Sequence, residues 1–461
     1  MVCLPLSPRP CLSGIFERET LTRVVSSTTI PSSSAPAISA WGVHRRTLLW
    51  IVLIAFLLRL AVLMPRIRHF HYENDESTNI STSLAQGEGF ANPFGIKTGP
   101  TSWLPPMYQW IMAGVFEIFG IKTKASAAVM LGLNSLFDSV TIIPLFFAAH
   151  RTFGQKVALW SAWTWALFPY AIYWAIHTNW DTCLSTMLMT FAFWLTLELA
   201  SGAGWKMWAW YGIAWGASAL SNTATLAFLP FAAGWILWRR RAEFSQTLMK
   251  GLAAAILFFA IITPWLVRDD IVFHKFIPIR GNFGLELYIG NSPGANGTWQ
   301  WWLHPSQNVL EMKKYVALGE TAYVAQKERE AKALIRQDPA RFLKVSLFRF
   351  IYYWAGVPRA ENSTLIFDLR QSLFLGFSVL AIWGAIRAWR GRACGHALYA
   401  LLLLSFPAIY YFVFPHARYR HPIDPELVIL SVYLIAEAAR GDRSRPESAI
   451  FDNQSPISRS P

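Results

Sequence analysis

Charge is scarce in this chain. Of its 461 residues only 15% are Asp, Glu, Lys or Arg, against 54% hydrophobic, with 23 Trp, 32 Phe and a mean hydropathy of +0.32. A soluble globular protein carries about 25% charged residues, so this composition leaves too little polar surface to cover a water-exposed fold. Cysteine is also rare. The four present, Cys3, Cys11, Cys183 and Cys394, are scattered between a polar tail, the start of an apolar run and a basic loop, which excludes a disulfide framework and any zinc-ligand spacing. No internal repeat stands out. Acidic residues are fewer than basic ones, 27 against 41, for a net charge of +14. The basic excess sits in short loops between apolar runs, as in polytopic membrane proteins, so it is not read as a nucleic-acid surface and no nucleic-acid partner is expected.

What is present is a series of apolar runs. With about 20 residues as the length that crosses the hydrocarbon core, spans are expected near 47–64, 125–148, 157–176, 181–200, 206–221, 224–238, 250–267, 371–388, 397–414 and 423–439. The predicted fold class is therefore an all-α polytopic membrane protein of about ten transmembrane helices. Residues 1–46 and 441–461, rich in Ser and Pro, are expected to be disordered cytoplasmic tails around a transmembrane domain over 47–440. The stretches 105–119 and 343–357 are apolar but short, and are expected to lie in the interface or re-enter. Arg45, Arg46, Arg151, Lys156, Lys206, Arg239, Arg240, Arg241, Arg387, Arg390, Arg392 and Arg440 then fall on one side, which makes both termini cytoplasmic. The opposite side receives two long segments, 65–124 and 268–370, and long loops of this kind are usually functional.

The first of these opens HFHYENDESTNISTSLAQGEGF. Asp75 and Glu76 begin a short amphipathic helix, stopped by Gly87 and Gly89 and expected close to the membrane surface. A carboxylate at a low-dielectric boundary has a raised pKa, which suits a general base; alternatively these acids only cap the helix dipole. His69, His71, Glu73 and Asp75 alternate, so an extended backbone would place them on one face, a weak divalent-cation site or simply interfacial histidines. Lys97 follows on a proline-bounded path and can meet a lipid phosphate, with Tyr108 beside it. In the second segment Arg268, His274, Lys275 and Arg280 stand among glycines, a mix that suits an anion, and Arg280 is the preferred phosphate ligand. The polar stretch 308–340 reads as a solvated helical insert. Finally HARYRHPIDP gathers His416, Arg418, Arg420 and His421 at a turn, where such cations are costly unless they meet an anion. Asp181 is a second acid or a partner for those arginines, and Asp138 is a lone mid-span acid.

The acidic loop after the first span, GEGFANPFG with TGPTSWLPPMYQWIMAGVFEIFG, TPWLVRDD with IPIRGNFGLELYIGN, and the closing RYRHP together resemble the GT-C superfamily of integral-membrane glycosyltransferases. Within it they are most similar to glycosyltransferase family 39, which includes protein mannosyltransferases and the aminoarabinose transferase of lipid A. The resemblance implies a GT-C-type bundle with interfacial helices in a large first extracytoplasmic loop. It also implies transfer of a sugar from a polyprenyl-phosphate donor to an acceptor hydroxyl outside the cytoplasm, with inversion. On that pattern the acid is Asp75 or Glu76, and the donor-phosphate ligands are Lys97, Arg280 and Arg418, with Arg420 as a further candidate; Asp181, Tyr108 and His421 are candidates for an acceptor or supporting role. The implied partners are the lipid-linked donor and membrane lipids, the implied place a plasma or inner membrane, and no cofactor is required beyond a divalent cation at most. A lipid transporter and a whole-glycan ligase are the competing classes.

Overall fold

The computed structural model describes residues 37–358 and 365–443, with side chains from 45 to 358 and from 368 to 439. The chain divides into two compact units, Met1–Thr47 and Leu48–Pro461, and the second holds the fold described below. The expected tails fall largely outside the described residues, although the first helix, Ala37–Ile67, begins earlier than the hydrophobic run alone suggests.

Helices form most of the described chain, and the only β feature there is an isolated bridge between Ala91 and Pro100. All ten expected spans are helical, but five are long and apolar enough to cross a membrane: Arg45–Ile67, Lys124–Phe153, Thr182–Ala200, Arg241–Phe273 and Asp368–Arg390. Two of the others are broken at proline, which has no N–H to continue the ladder. The expected span 157–176 divides into Gln155–Ala166 and Pro169–His177, and 397–414 divides at Pro407 into His396–Ser405 and Ala408–Phe412. The short stretches 105–119 and 343–357 become the helices Pro106–Phe119 and Pro339–Ala355, both below spanning length.

Outward faces are apolar. Ile256 and Met64, each 69% exposed, and Trp160 at 66% would be costly in water and are at home in lipid. Helix contacts rely on small residues, as expected where lipid and side chain are equally apolar. A Cβ on Gly212 of the helix Trp205–Ser221 would lie 2.3 Å from the Ala254 carbonyl oxygen, and one on Gly216 would press on Ile261 at 2.9 Å. The two glycines let that helix and Phe244–Phe273 meet backbone to backbone.

Asp138 is not the lone acid expected from the sequence. Arg59, in the first apolar run, is equally buried and places Nη2 2.6 Å from Asp138 Oδ2. Its remaining N–H groups donate to the carbonyls of Ala55, Trp165 and Ala166. The last two lie where the helix ends before Pro169, so one side chain answers both a buried acid and a helix break.

The polar insert is also more than a solvated surface. In Glu320–Gln337 the side chains of Glu320, Tyr323, Val324, Lys327 and Ala331 are buried, because one face packs on the helix Phe283–Asn291. Lys327 meets Glu311 at 2.9 Å, and Glu311 accepts from the Tyr323 hydroxyl at 2.8 Å.

Candidate active site

The helix Glu76–Ala85 starts at Asp75, whose extended backbone and side chain form the N-cap. Its Oδ1 accepts from the Thr78 amide at 2.8 Å and its Oδ2 from the Thr78 hydroxyl at 3.2 Å. Gly87 and Gly89 end the helical stretch in left-handed conformations, as the sequence implied. The helix does not lie on a surface, however. Ser77, Thr78, Asn79, Ile80, Ser81 and Ser83 are buried against Pro106–Phe119 and the loop ahead of it. Small polar side chains allow this, because each can bond locally: Ser81 and Thr82 return hydrogen bonds to carbonyls four residues back, and Asn79 donates to the Pro93 carbonyl.

The N-terminus of this helix faces a cavity of about 670 Å³, within the range of small-molecule sites. Glu73, Asp75 and Glu76 line one part of it. Trp103 and Gln109 come from the next loop and helix, Trp180 and Asp181 from the start of Thr182–Ala200, and Asn222 from the end of Trp205–Ser221. Arg280, Asn282 and Glu286 enter from the second long segment, with His304 and Trp299, and Tyr410, Arg418 and Tyr419 from the last turn. Six distant stretches of chain thus meet at one place.

Several charged groups in the cavity have partners of their own. Glu76 Oε1 lies 3.4 Å from His304 Nε2. The Ser306 amide donates to His304 Nδ1 at 3.3 Å, which makes Nδ1 an acceptor and leaves the ring proton on Nε2, facing Glu76. Phe94 and Trp103 hold the His304 ring edge-on at 5.5 and 5.8 Å. Arg280 donates from Nε to Asn282 Oδ1 at 2.7 Å and lies 3.5 Å from Glu286, to which Asn282 also donates. The Arg418 guanidinium stacks over Trp180, 4.0 Å from the ring centroid, a cation–π contact. Asp181 accepts from the Ser185 hydroxyl at 2.8 Å.

Burial sets the acid–base character of the cavity. Desolvation pushes the Asp75 carboxyl up to about 7, helped by the neighbouring Glu76 charge and opposed by the Thr78 bonds and Arg418. Desolvation also raises Asp181 and Glu286, against the pull of Arg418 and Arg280 respectively. Burial works against charge on Arg418, yet Tyr419 and Asp181 outweigh it and hold the guanidinium above its ordinary value.

The loop 101–105 that forms one wall is tied from behind. Buried Glu320 accepts from the Ser102 amide at 2.7 Å, from the Thr101 hydroxyl and from the Tyr315 hydroxyl at 2.8 Å. Arg268, expected as an anion ligand, donates instead to the carbonyls of Thr101 and Phe90 at 2.7 and 2.9 Å.

Of the residues singled out in the sequence, Asp75, Glu76, Glu73, Asp181, Arg280 and Arg418 line the cavity. Lys97 does not: its side chain is 88% exposed and pairs with Glu88 at 3.1 Å. Tyr108 is buried, donating to Asn134 at 3.2 Å. Arg420 and His421 point away from the cavity and into the protein, on Asp424. His69 and His71 are exposed, with His71 Nδ1 2.9 Å from the His69 carbonyl oxygen, and the alternating face expected over 69–75 does not gather into a ligand set. Among the described residues the one group of three such donors within 4.8 Å of one another is Asp138, Cys183 and His421, outside the cavity. His304, Glu286 and Glu320 were not foreseen. The only signal for them is that two acids and a histidine interrupt otherwise aromatic or apolar stretches.

A family model, dolichyl-phosphate-mannose-protein mannosyltransferase, matches residues 104–267. No curated protein matches the sequence. Among solved structures, the apo oligosaccharyltransferase of Archaeoglobus fulgidus aligns with a TM-score of 0.53 at 14% identity, over 86% of this chain and 51% of that one. The same enzyme tethered to an acceptor peptide containing the NVT sequon gives 0.50 at 13%, over 87% and 50%. ArnT of Cupriavidus metallidurans bound to undecaprenyl phosphate gives 0.41 at 12%, over 88% and 80%. The chain spans about half the length of the archaeal enzyme it matches. At the level of fold, the archaeal match supports the sequence resemblance: the described residues form an all-helical bundle like that of the archaeal enzyme.

Proposed function

We propose that this GT-C bundle is a membrane glycosyltransferase that moves a sugar from a polyprenyl-phosphate carrier to an acceptor hydroxyl, in a cavity on the extracytoplasmic side with both termini cytoplasmic. The observation that carries the reading is the opposition, within one cavity of about 670 Å³, of the acids Asp75 and Glu76 to the guanidinium groups of Arg280 and Arg418. Phe283, Ile409, Val413 and Phe414 add apolar lining suited to the first isoprene units.

In the reaction, Asp75 takes the proton of the acceptor hydroxyl, and the oxygen attacks the anomeric carbon from the face opposite the phosphate. The bond from that carbon to the phosphate oxygen breaks, with inversion, and the polyprenyl phosphate leaves as an anion. Arg418 and Arg280 stabilise the charge that develops on it. A base raised to about 7 exchanges protons near neutrality, which a carboxyl of ordinary acidity does poorly. Glu76, whose Oε1 lies 3.4 Å from His304 Nε2, sits beside Asp75 and adds to the rise of its pKa.

The test is release of free polyprenyl phosphate by the purified protein in lipid nanodiscs supplied with a panel of polyprenyl-phosphate sugars and crude acceptor extract. Release with one sugar, lost in Asp75→Asn, supports the reading. No release with any donor, together with flipping of the same lipids, overturns it in favour of a transporter.

A further inference from the structure

A row of buried charge beneath the cavity is not used by the transfer chemistry. Arg59 directs both Nε and Nη2 to a single oxygen of Asp138, Oδ2, at 2.8 and 2.6 Å, leaving Oδ1 free. At the other end Arg420 meets Asp424 Oδ1 at 2.9 Å and donates to the Ser378 hydroxyl at 2.5 Å. His421 lies between the acids, with Nδ1 3.2 Å from Asp424 Oδ2 and Nε2 3.4 Å from Asp138 Oδ1. Neither Nε2 nor Oδ1 has any other partner among the described residues. Trp165 stacks on the ring at 5.4 Å, and the Cys183 sulfur lies within 4.8 Å of both donors. Every member of the row is at most 1% exposed.

A neutral imidazole carries one N–H. Serving Asp424 with it leaves the Nε2 lone pair against a carboxylate lone pair at 3.4 Å, and serving Asp138 leaves Nδ1 against Asp424 at 3.2 Å. Two acceptors in contact without water are costly, so something positive belongs between them. A divalent ion sharing Asp138 with Arg59 would have to sit beside a guanidinium, in a site that offers three ligands. A second ring proton needs no further group.

We propose that His421 is held as an imidazolium bridging Asp138 and Asp424, and that this bridge is a positioning device for Arg418. The turn Ala417–Ile423 turns Arg418 and Tyr419 to the cavity and Arg420 and His421 into the row beneath, so the orientation of one pair fixes the other. Asp138 comes from the helix Lys124–Val140, Asp424 from Asp424–Arg443, Arg59 from the first helix and Cys183 from Thr182–Ala200; the ring meets opposite charge on both edges. The role of Arg418 rests on the proposed function, whereas the charge on His421 does not.

The test has two readouts. In protein labelled with 15N-histidine, one of the ten rings should keep both nitrogens protonated at about pH 8.5, two units above the ordinary value, and the signal should vanish in His421→Lys. Absence of such a ring, or a stoichiometric metal lost in Cys183→Ser, overturns the charge assignment. Binding of undecaprenyl phosphate should weaken by about tenfold or more in His421→Gln, for loss of a charge-assisted bond, and recover in His421→Lys. Equal binding by wild type and His421→Gln overturns the positioning role. If the wild type binds none, the proposed function falls, and hydrogen exchange at 417–423 decides the positioning instead: faster in His421→Gln and restored in His421→Lys supports it, unchanged exchange refutes it.

Discussion

Asp75→Asn separates the proposed catalytic role of this acid from its structural one. Asparagine is as good an N-cap as aspartate, so the helix Glu76–Ala85 keeps its start. What changes is the charge. The carboxyl is pushed from 3.8 to about 7 in the folded protein. At about 1.4 kcal/mol per unit, three units amount to about 4 kcal/mol against the ionised form. Partial solvent contact screens this to about 2 kcal/mol. The sign follows from linkage: with its folded pKa above its unfolded one, Asp75 holds its proton more tightly in the fold than in the unfolded chain, so stability is lost as pH rises from about 4 to about 7. The variant should therefore match wild type near pH 4 and exceed it by about 2 kcal/mol near pH 8. Turnover should move oppositely, falling by about 10²-fold or more for loss of the base. The wild-type rate should climb about tenfold between pH 6 and pH 8 as the base ionises. Thermal unfolding in nanodiscs across this range, with the release assay on the same samples, measures both. Lower stability of Asp75→Asn near pH 8, or a wild-type rate flat across the range, would refute the reasoning.

On the proposed function, Arg418→Ala should abolish turnover and Glu76→Gln should lower it and shift its pH profile to lower pH, both with expression intact; full activity with an unmoved profile in both would sink the site assignment. Arg418→Lys keeps the charge but loses the planar stack on Trp180, and should weaken polyprenyl-phosphate binding by about tenfold in a direct titration. Lys97→Ala removes only an exposed pair with Glu88, worth under about 1 kcal/mol, so turnover should stay within about twofold; a large loss would mean that the loop closes on substrate. Asp138→Leu strands Arg59 in the interior and should cost about 3–5 kcal/mol, read as a lower unfolding midpoint.

Hydropathy placed the helices, because apolar length is a local property of the chain. It could not show that Pro169 and Pro407 would interrupt two of them in the folded bundle, nor that Arg59, one cation in the run AFLLRLAVL, would reach an acid 79 positions away. Asp75, Glu76, Arg280 and Arg418 were legible because they gather in loops that have no reason to be so charged. Lys97, Arg420 and His421 carry the same chemical signal and sit elsewhere, since spacing gives a residue's neighbours and not its depth. Helix Glu76–Ala85 shows the same limit: its serines and threonines read as surface, but they bond to their own backbone and can be buried. His304 was hidden because its partner, Glu76, lies in the other long segment.

On the proposed function, the cavity can act because Asp75 and Glu76 are not ion-paired with Arg280 or Arg418. Asp75 is satisfied by Thr78, Glu76 by His304, Arg280 chiefly by Asn282, and Arg418 by the face of Trp180. Among the described residues Arg418 makes no salt bridge, although Asp181 and Glu76 act on it through space. A direct ion pair between Arg418 and Asp75 would lower the base's pKa and occupy the phosphate site at once. Holding the two apart on neutral or weakly charged partners leaves room for a hydroxyl at one end and an anionic leaving group at the other. The donors then face where charge develops during transfer, with little reorganisation at the moment of reaction. The supports, Glu320 behind the 101–105 loop and the charge row beneath Arg418, are themselves buried side chains. They fix the walls while the groups facing the cavity keep their capacity to bind.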